Sequence, residues 1–537
     1  MDFDEALKSI GNFGKYQKAL SLLLSVPILI GCLQIYVQVF AAGESDHWCQ
    51  SWKEDNCKDL NLTEIQCENL KKEISIPAKV ADDNKTVFEH CEKYNVTGKD
   101  LETVMLADYI NSTIFEKIPC DEGWVHDRST FPSTIVIDFE LVCGRSNLPN
   151  VAQSAYFGGY LVGSIFGGAT ADVIGRRWAL LLSNILVLAT GMANVFSPNM
   201  LLYIILRFLT GTFARLVSIS SIVLTAELVS PVRRVTVTNI LFLGWALGYF
   251  VLSGLAKLIP NWRFLQLAIT VPYLPLLILE LLFVVESPRW FIVNDKTEEA
   301  ERALKKIARF NGRNTADNIL KPSKSTHEIQ TPEKTKRLLK QLLHSRVGIL
   351  ITINMCFNWF VQSVVYYGLS LSTSSLGIDP YISFIVSGAI EIPAYVLCMY
   401  LPEWIGRKGT TCSTLVFGGI SCCLSPLLPP GVWRALLAMA GKFCVTISFS
   451  LVYTWAIEIT PTSLRSTGMG LFSMSSRIGG MLVPFLLILE DVWLSLPIII
   501  MGSASIIAGL LSLLLPETKG RPLPCTIHDT ENLYQYV

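Results

Sequence analysis

The sequence is poor in charge. Asp, Glu, Lys and Arg make up only 16% of its 537 residues, where a typical soluble domain has about a quarter. The charges also cancel, 44 basic against 44 acidic, so net charge offers no hold on nucleic acid. Histidine is scarce: six residues, none well inside a long apolar run, which excludes a His proton relay through a membrane. No G-x-x-x-x-G-K-[ST] loop is present, and its absence excludes ATP-driven work by this chain. No H-E-x-x-H and no paired C-x-x-C suggests a metal. No acid–base pair with a nucleophile stands out, so neither an enzyme nor a cofactor is expected.

What fills the chain instead is apolar: 51% of residues are hydrophobic. About 20 mostly apolar residues cross a bilayer as a helix. Twelve runs reach that length, near 18–41, 149–170, 178–196, 200–222, 235–257, 263–285, 345–369, 380–401, 410–428, 432–455, 467–488 and 493–515. The first reads as a retained span, because its apolar stretch exceeds that of a cleaved signal. The chain thus divides into a cytoplasmic start (1–17), span one (18–41), a long insert (42–148), spans two to six (149–285), a polar central loop (286–344), spans seven to twelve (345–515) and a tail (516–537). The expected fold is all-α: twelve transmembrane helices in two six-helix bundles. The bilayer is its first partner.

Two signals give sidedness. Arg176 and Arg177, Arg233 and Arg234, Arg407 and Lys408, Arg465, Lys519 and Arg521 all fall on the side of the N-terminus, which the positive-inside bias makes cytoplasmic. The insert then lies outside the cell. It holds six of the fourteen cysteines, Cys49, Cys57, Cys67, Cys91, Cys120 and Cys143, and the sequons at Asn61, Asn84, Asn95 and Asn111. An even cysteine count beside glycosylation acceptors reads as a disulfide framework, with fifteen pairings open for six cysteines. A multi-pass glycoprotein of the plasma membrane follows.

The halves repeat a signature. Asp172-Val-Ile-Gly175-Arg176-Arg177 joins spans two and three, and Glu403-Trp-Ile-Gly406-Arg407-Lys408 joins spans eight and nine. Internal repetition of membrane halves belongs to transporters. With these residues the chain resembles the major facilitator superfamily, and more narrowly its organic cation, anion and carnitine transporter family, solute carrier family 22. The long Cys-rich first loop carries the narrower likeness. So do Arg207-Phe-Leu-Thr-Gly211, Glu286-Ser-Pro-Arg289-Trp290, Tyr367-Gly-Leu, Glu391-Ile-Pro-Ala-Tyr, Glu458-Ile-Thr-Pro-Thr-Ser-Leu-Arg465 and Pro516-Glu-Thr-Lys-Gly520. Gly441-Lys-Phe-Cys-Val-Thr-Ile-Ser-Phe449 and Ser476-Arg477-Ile-Gly-Gly look most like the organic cation/carnitine branch. Val285, where the family usually has Pro, and Thr460, where an aromatic is common, set it apart from the best-known carnitine carriers. The resemblance implies alternating access around a central site for small organic ions or zwitterions.

Charges at mid-span name the candidate site. Each costs about 2.5–3.5 kcal/mol to insert, so it lines a cavity or finds a partner. Arg215, Glu391, Lys442 and Arg477 lie there. Three positive groups facing one negative suit an anion or a zwitterion better than a simple cation. The alternatives are a structural bridge from Glu391 to Lys442 or Arg477, and a pairing of Arg215 with Glu227. Trp359, Gln362 and Tyr366 share a face of span seven, as Lys442, Thr446, Phe449 and Tyr453 do of span ten. Either they form an aromatic wall for an amphipathic ligand or they are ordinary helix packing; the resemblance favours the wall. Gln34 and Tyr36 are lesser candidates. Asp172, Arg176, Glu227, Arg289, Glu403, Arg407, Glu458 and Arg465 sit at cytoplasmic helix ends and read as gate elements, or as solvated ends that serve topology. Residues 298–306 should form an amphipathic surface helix that acts as a strap. Energy from the substrate's gradient, exchange or sodium is left open, as is oligomeric state. The rivals are an organic anion carrier or exchanger, a sugar or neutral-solute carrier, and a non-transporting sensor or scaffold on the same fold.

Overall fold

The computed structural model describes residues 10–11, 13–52, 64–80, 86–96, 116–229, 234–313, 346–373, 377–461, 465–521, 524 and 530. Cys57, Asn61, Asn84 and Asn111 lie outside the described residues, with most of the central loop and tail. The chain forms two units: Met1–Val39, Asn150–Ile259 and Arg263–Val537 in one, Phe40–Pro149 and Pro260–Trp262 in the other.

The first unit is helical, as it must be where lipid offers no hydrogen bonds to the backbone. Its helices, with one of the insert counted as α2, are α1 Lys15–Tyr36, α3 Leu148–Ile174, α4 Arg176–Val195, α5 Met200–Glu227, α6 Arg234–Leu258, α7 Trp262–Thr270, α8 Tyr273–Phe283, α9 Pro288–Val293, α10 Thr297–Phe310, α11 Arg346–Leu371, α12 Pro380–Ala389, α13 Glu391–Leu424, α14 Val432–Ile459, α15 Arg465–Leu487 and α16 Leu496–Ser512. Among the described residues ten helical stretches are long and apolar enough to cross a membrane. One of them, Pro380–Leu427, is 48 residues long and bends at Gly406, so it carries two spans; Leu496–Ser512 is a shorter apolar helix.

Three places differ from expectation. Span six is two helices, α7 and α8, because Pro272 interrupts the ladder between them. The joints expected as loops after spans two and eight are single-residue breaks, at Gly175 (φ 98°) and Gly406 (φ 82°). Only glycine adopts that left-handed backbone without cost. Helix packing is close where small residues allow it. A side chain at Gly159 would strike the Phe208 backbone, and one at Gly211 the Tyr156 carbonyl, so α3 and α5 meet backbone to backbone. The strap forms as expected: α10 buries Ala300, Ala303, Leu304, Ile307 and Ala308. Asn311, which follows it, accepts from Tyr16 N (2.9 Å) and donates to Ile10 O (2.9 Å) at the start of α1.

The second unit is the insert. Three short antiparallel pairs form it: β1 (His47–Cys49) with β6 (Trp124–His126), β2 (Ala78–Val80) with β3 (Thr86–Phe88), and β4 (Glu92–Tyr94) with β5 (Lys117–Pro119), beside α2 (Glu64–Ser75). Its disulfides join Cys49 to Cys120 and Cys91 to Cys143, and Cys67 is also disulfide-bonded. Asn95 is exposed. His47 and His126 face each other across β1 and β6, with ring centroids 5.9 Å apart, and His90 lies 5.0 Å from His47. Burial pushes His126 down to about 4, with His47 and Arg128 adding to the effect, and burial also lowers His47.

Candidate functional site

The four mid-span charges form two groups rather than one. In the first, Arg215 of α5 donates through Nε to Ser164 Oγ of α3 at 2.9 Å and lies 5.1 Å from the Tyr160 ring centroid. Arg477 of α15, from the other half of the chain, lies 5.1 Å from the same ring. The close α3–α5 contact delivers Tyr160 to this position. Arg477 is 6% exposed, and its Nε is buried with no hydrogen-bond partner. Among the described residues neither arginine enters an ion pair; Glu227, the alternative partner for Arg215, pairs with Arg176. Two guanidinium groups sharing one ring, without a carboxylate, leave a positive field in a setting of low dielectric. A carboxylate suits such a fork bidentately.

In the second group Lys442 of α14 pairs with Glu391 of α13 at 3.2 Å, both fully buried. Tyr366 and Tyr395 hydroxyls donate to the two Glu391 oxygens at 2.7 and 3.3 Å. Lys442 Nζ donates to Ser387 Oγ at 2.5 Å and Tyr249 OH at 3.4 Å, and stacks 4.5 Å over the Tyr249 ring. Trp245 Nε1 donates to Tyr366 OH at 3.1 Å. Of the bridges open to Glu391, the one to Lys442 is therefore made. Tyr249 and Trp245 belong to the N-terminal half, so this cluster ties the halves together.

A file of rings runs out from Tyr366 of the second group: Trp359–Tyr453 (4.3 Å), Tyr453–Phe449 (5.8 Å), Phe449–Tyr366 (5.5 Å) and Tyr366–Tyr367 (5.2 Å); Tyr453 and Tyr367 lie within electrostatic reach of Arg477. Trp359 Nε1 and Gln362 Oε1 are buried with no hydrogen-bond partner. Such groups are uncommon in a settled core. Tyr36 is fully buried against Tyr249 (5.0 Å), and Gln34 accepts from Gln266 at 3.1 Å.

The charges at the helix ends form matching networks within each half. Arg176 pairs with Asp172 (2.8 Å) and Glu227 (3.3 Å); Arg407 pairs with Glu403 (3.0 Å) and Glu458 (3.1 Å). Arg465 donates to the Ile457 carbonyl (3.2 Å), and Arg289 stands on α9. Two acids of the sequence motifs complete the pattern. Glu286 accepts from the Arg176 and Arg177 N–H groups at 2.9 and 3.1 Å. Glu517 accepts from Arg407 and Lys408 N–H at 3.0 Å each. The glycine break exposes a helix N-terminus, and the carboxylate satisfies it. Burial raises the Glu286 carboxyl, against the N–H groups of Ser287, Arg177 and Arg176.

Arg207 opens the Arg207-Phe-Leu-Thr-Gly211 motif. It is fully buried, donates to Gln34 O and Gln153 Oε1 at 2.8 Å each, and lies 4.5 Å from the Tyr156 ring. Its place inside a span was the signal available.

The fold and these features are those of a multi-pass membrane transporter. The sugar (and other) transporter family pattern matches residues 133–525. Solute carrier family 22 member 6-B of Xenopus laevis is 34% identical over 99% of this chain and 95% of its own. Member 13 of Homo sapiens is 33% identical over 98% and 93%, and member 3 of Rattus norvegicus 32% identical over 99% and 96%. The chain belongs to solute carrier family 22. These similar identities favour no one branch. The inward-open xylose transporter XylE from E. coli has the same fold, with a TM-score of 0.59 and 17% identity over 96% of this chain and 99% of that one.

Proposed function

We propose that the chain is a plasma-membrane carrier of small organic carboxylates, either anions or zwitterions of the carnitine type, working by alternating access. Its termini are cytoplasmic and its insert extracellular in this reading. Arg477 and Arg215 hold the carboxylate. The ring file from Trp359 through Phe449 to Tyr366, with Gln362, holds the rest of the ligand and attracts an ammonium group where one is present. The observation that carries the reading is the pair of arginines on one tyrosine, neither in an ion pair among the described residues. Glu391, the one acid among the four candidates, is already paired with Lys442, so it stands free for a simple monocation only where the cation displaces Lys442. Binding drives the cycle only through unequal contacts with the two open states.

The test is uptake into proteoliposomes of four labelled probes in parallel: 4-carboxybenzenesulfonate, carnitine, tetramethylammonium and glucose. The first two are expected to enter and to lose uptake in Arg477→Asp. Entry of tetramethylammonium or glucose alone would overturn the assignment. The Glu391 cluster supports a second reading, as a cation carrier, which the tetramethylammonium arm decides.

A further inference from the structure

Glu280 stands apart from both groups above. It belongs to α8, is fully buried, and has no cationic partner among the described residues. One oxygen accepts from Asn184 Nδ2 of α4 at 2.5 Å. The other, Oε1, is buried with no hydrogen-bond partner, and so are Asn184 Oδ1 and the Tyr273 hydroxyl. An ionised carboxylate in such a place forfeits its hydration and gains only one neutral hydrogen bond in return. A carboxylic acid carrying its proton loses far less, and its O–H supplies the donor that Oε1 and Asn184 Oδ1 both lack.

Among the described residues no charged side chain pairs with Glu280. From α4, Arg177 turns its guanidinium to the Leu281 carbonyl (2.8 Å) near the end of the span, and Ser183 bonds Ala179 O (2.6 Å). From α1, Tyr16 donates to Phe283 O (3.3 Å) and accepts from Val285 N (3.1 Å). On α8 itself, Tyr273 lies within electrostatic reach of Glu280 on one side and Tyr160 on the other. Tyr160 is the ring that carries Arg215 and Arg477. Glu280 also lies three residues from the end of α8 at Phe283, about 4.5 Å along the axis. The Asn184–Glu280 bond bridges the α4–α8 contact.

We propose that Glu280, with Asn184, is a proton-binding site, and that the proton held there is the ion coupled to substrate movement. The idea rests on the carboxylate reading for its second half only. An anion docking at the arginine pair makes the nearby acid hold its proton more firmly; by linkage the proton strengthens the anion's binding by the same factor. Anion and proton then cross together. The proton leaves Glu280 Oε1 for water on the side to which the α4–α8 contact opens.

Infrared spectra of the purified full-length protein test the site without any substrate. Wild type should show a protonated-carboxyl C=O band at pH 7.5 that Glu280→Gln removes. If Glu280→Gln fails to accumulate, Asn184→Leu should move the same band to higher frequency. Identical spectra in this region would overturn the site. In proteoliposomes, an inward proton gradient should stimulate 4-carboxybenzenesulfonate uptake several-fold in wild type. Glu280→Gln should lose that stimulation and keep exchange of the probe. An equal gradient response in the two proteins overturns the coupling. If the probe does not move in wild type under any gradient, the carboxylate reading and the coupling built on it fail, while the infrared band decides the proton site alone.

Discussion

The buried pair Glu391–Lys442 can be taken apart one charge at a time. Removing Lys442 as Lys442→Met leaves the Glu391 carboxylate with two tyrosine hydroxyls, at 2.7 and 3.3 Å, and no positive charge. Glu391→Gln leaves the ammonium with Ser387 and Tyr249. Both partners are fully buried, so solvent does not screen the loss. Breaking such a pair from one side costs about 3–5 kcal/mol, whereas replacing both charges is often close to neutral. The cycle Glu391→Gln, Lys442→Met and the double variant should therefore show a coupling of roughly 3 kcal/mol. That is about two orders of magnitude in the folded ratio. Surface labelling in cells and thermal midpoints in detergent read it: both single variants fall, and the double variant recovers most of the loss. The double variant should also retain carboxylate uptake, since the arginine pair is untouched. Additive losses in the double variant would refute the reasoning, and so would loss of carboxylate transport with normal folding.

Other outcomes follow from the same geometry. Arg477→Gln removes a charge-assisted bond to the substrate carboxylate, about 1.5–3 kcal/mol; initial-rate uptake should show KM raised roughly 10- to 150-fold, with Arg477→Lys in between. Glu517→Ala strips the acceptor from the Arg407 and Lys408 N–H groups and should lower the thermal midpoint, while Glu517→Gln, which keeps an acceptor oxygen, restores part of it. In the insert, His126 is pushed down to about 4 when folded, against about 6.5 when unfolded. The unfolded state then binds protons first as pH falls, so the insert's stability is full above about 6.5 and declines towards pH 4. Protection factors of the β1 and β6 amides in the full-length protein, taken against the intrinsic exchange rate at each pH, should fall from pH 7.4 to 5.0, and His126→Gln should flatten that response. Finally, Cys91→Ser opens a loop of 52 residues, about 4 kcal/mol in the chain-entropy account, and should reduce surface abundance sharply.

Much of this architecture was written in one dimension. Twelve apolar runs, the basic residues between them and the doubled Gly-Arg joint define a two-fold helical membrane protein, because a bilayer admits few other solutions for a backbone. Mid-span charges are costly wherever they occur, so Arg215, Glu391, Lys442 and Arg477 stand out in the sequence itself. The candidate disulfide cysteines were equally plain, though their partners were not.

Partnership was decided in three dimensions. No spacing says that Glu391 takes Lys442 while Arg215 and Arg477 meet over Tyr160, since these residues stand on five helices from both halves. Nor does spacing say that Glu286 and Glu517, over a hundred residues downstream, close the helix starts at Arg176 and Arg407. Glu280 passed unnoticed because one acid near the end of an apolar run looks like an edge residue; only packing against Asn184 encloses it. Hydropathy is a local property that a sequence carries directly. Which charges neutralise one another depends on distances between helices, and those exist only once the bundles have formed.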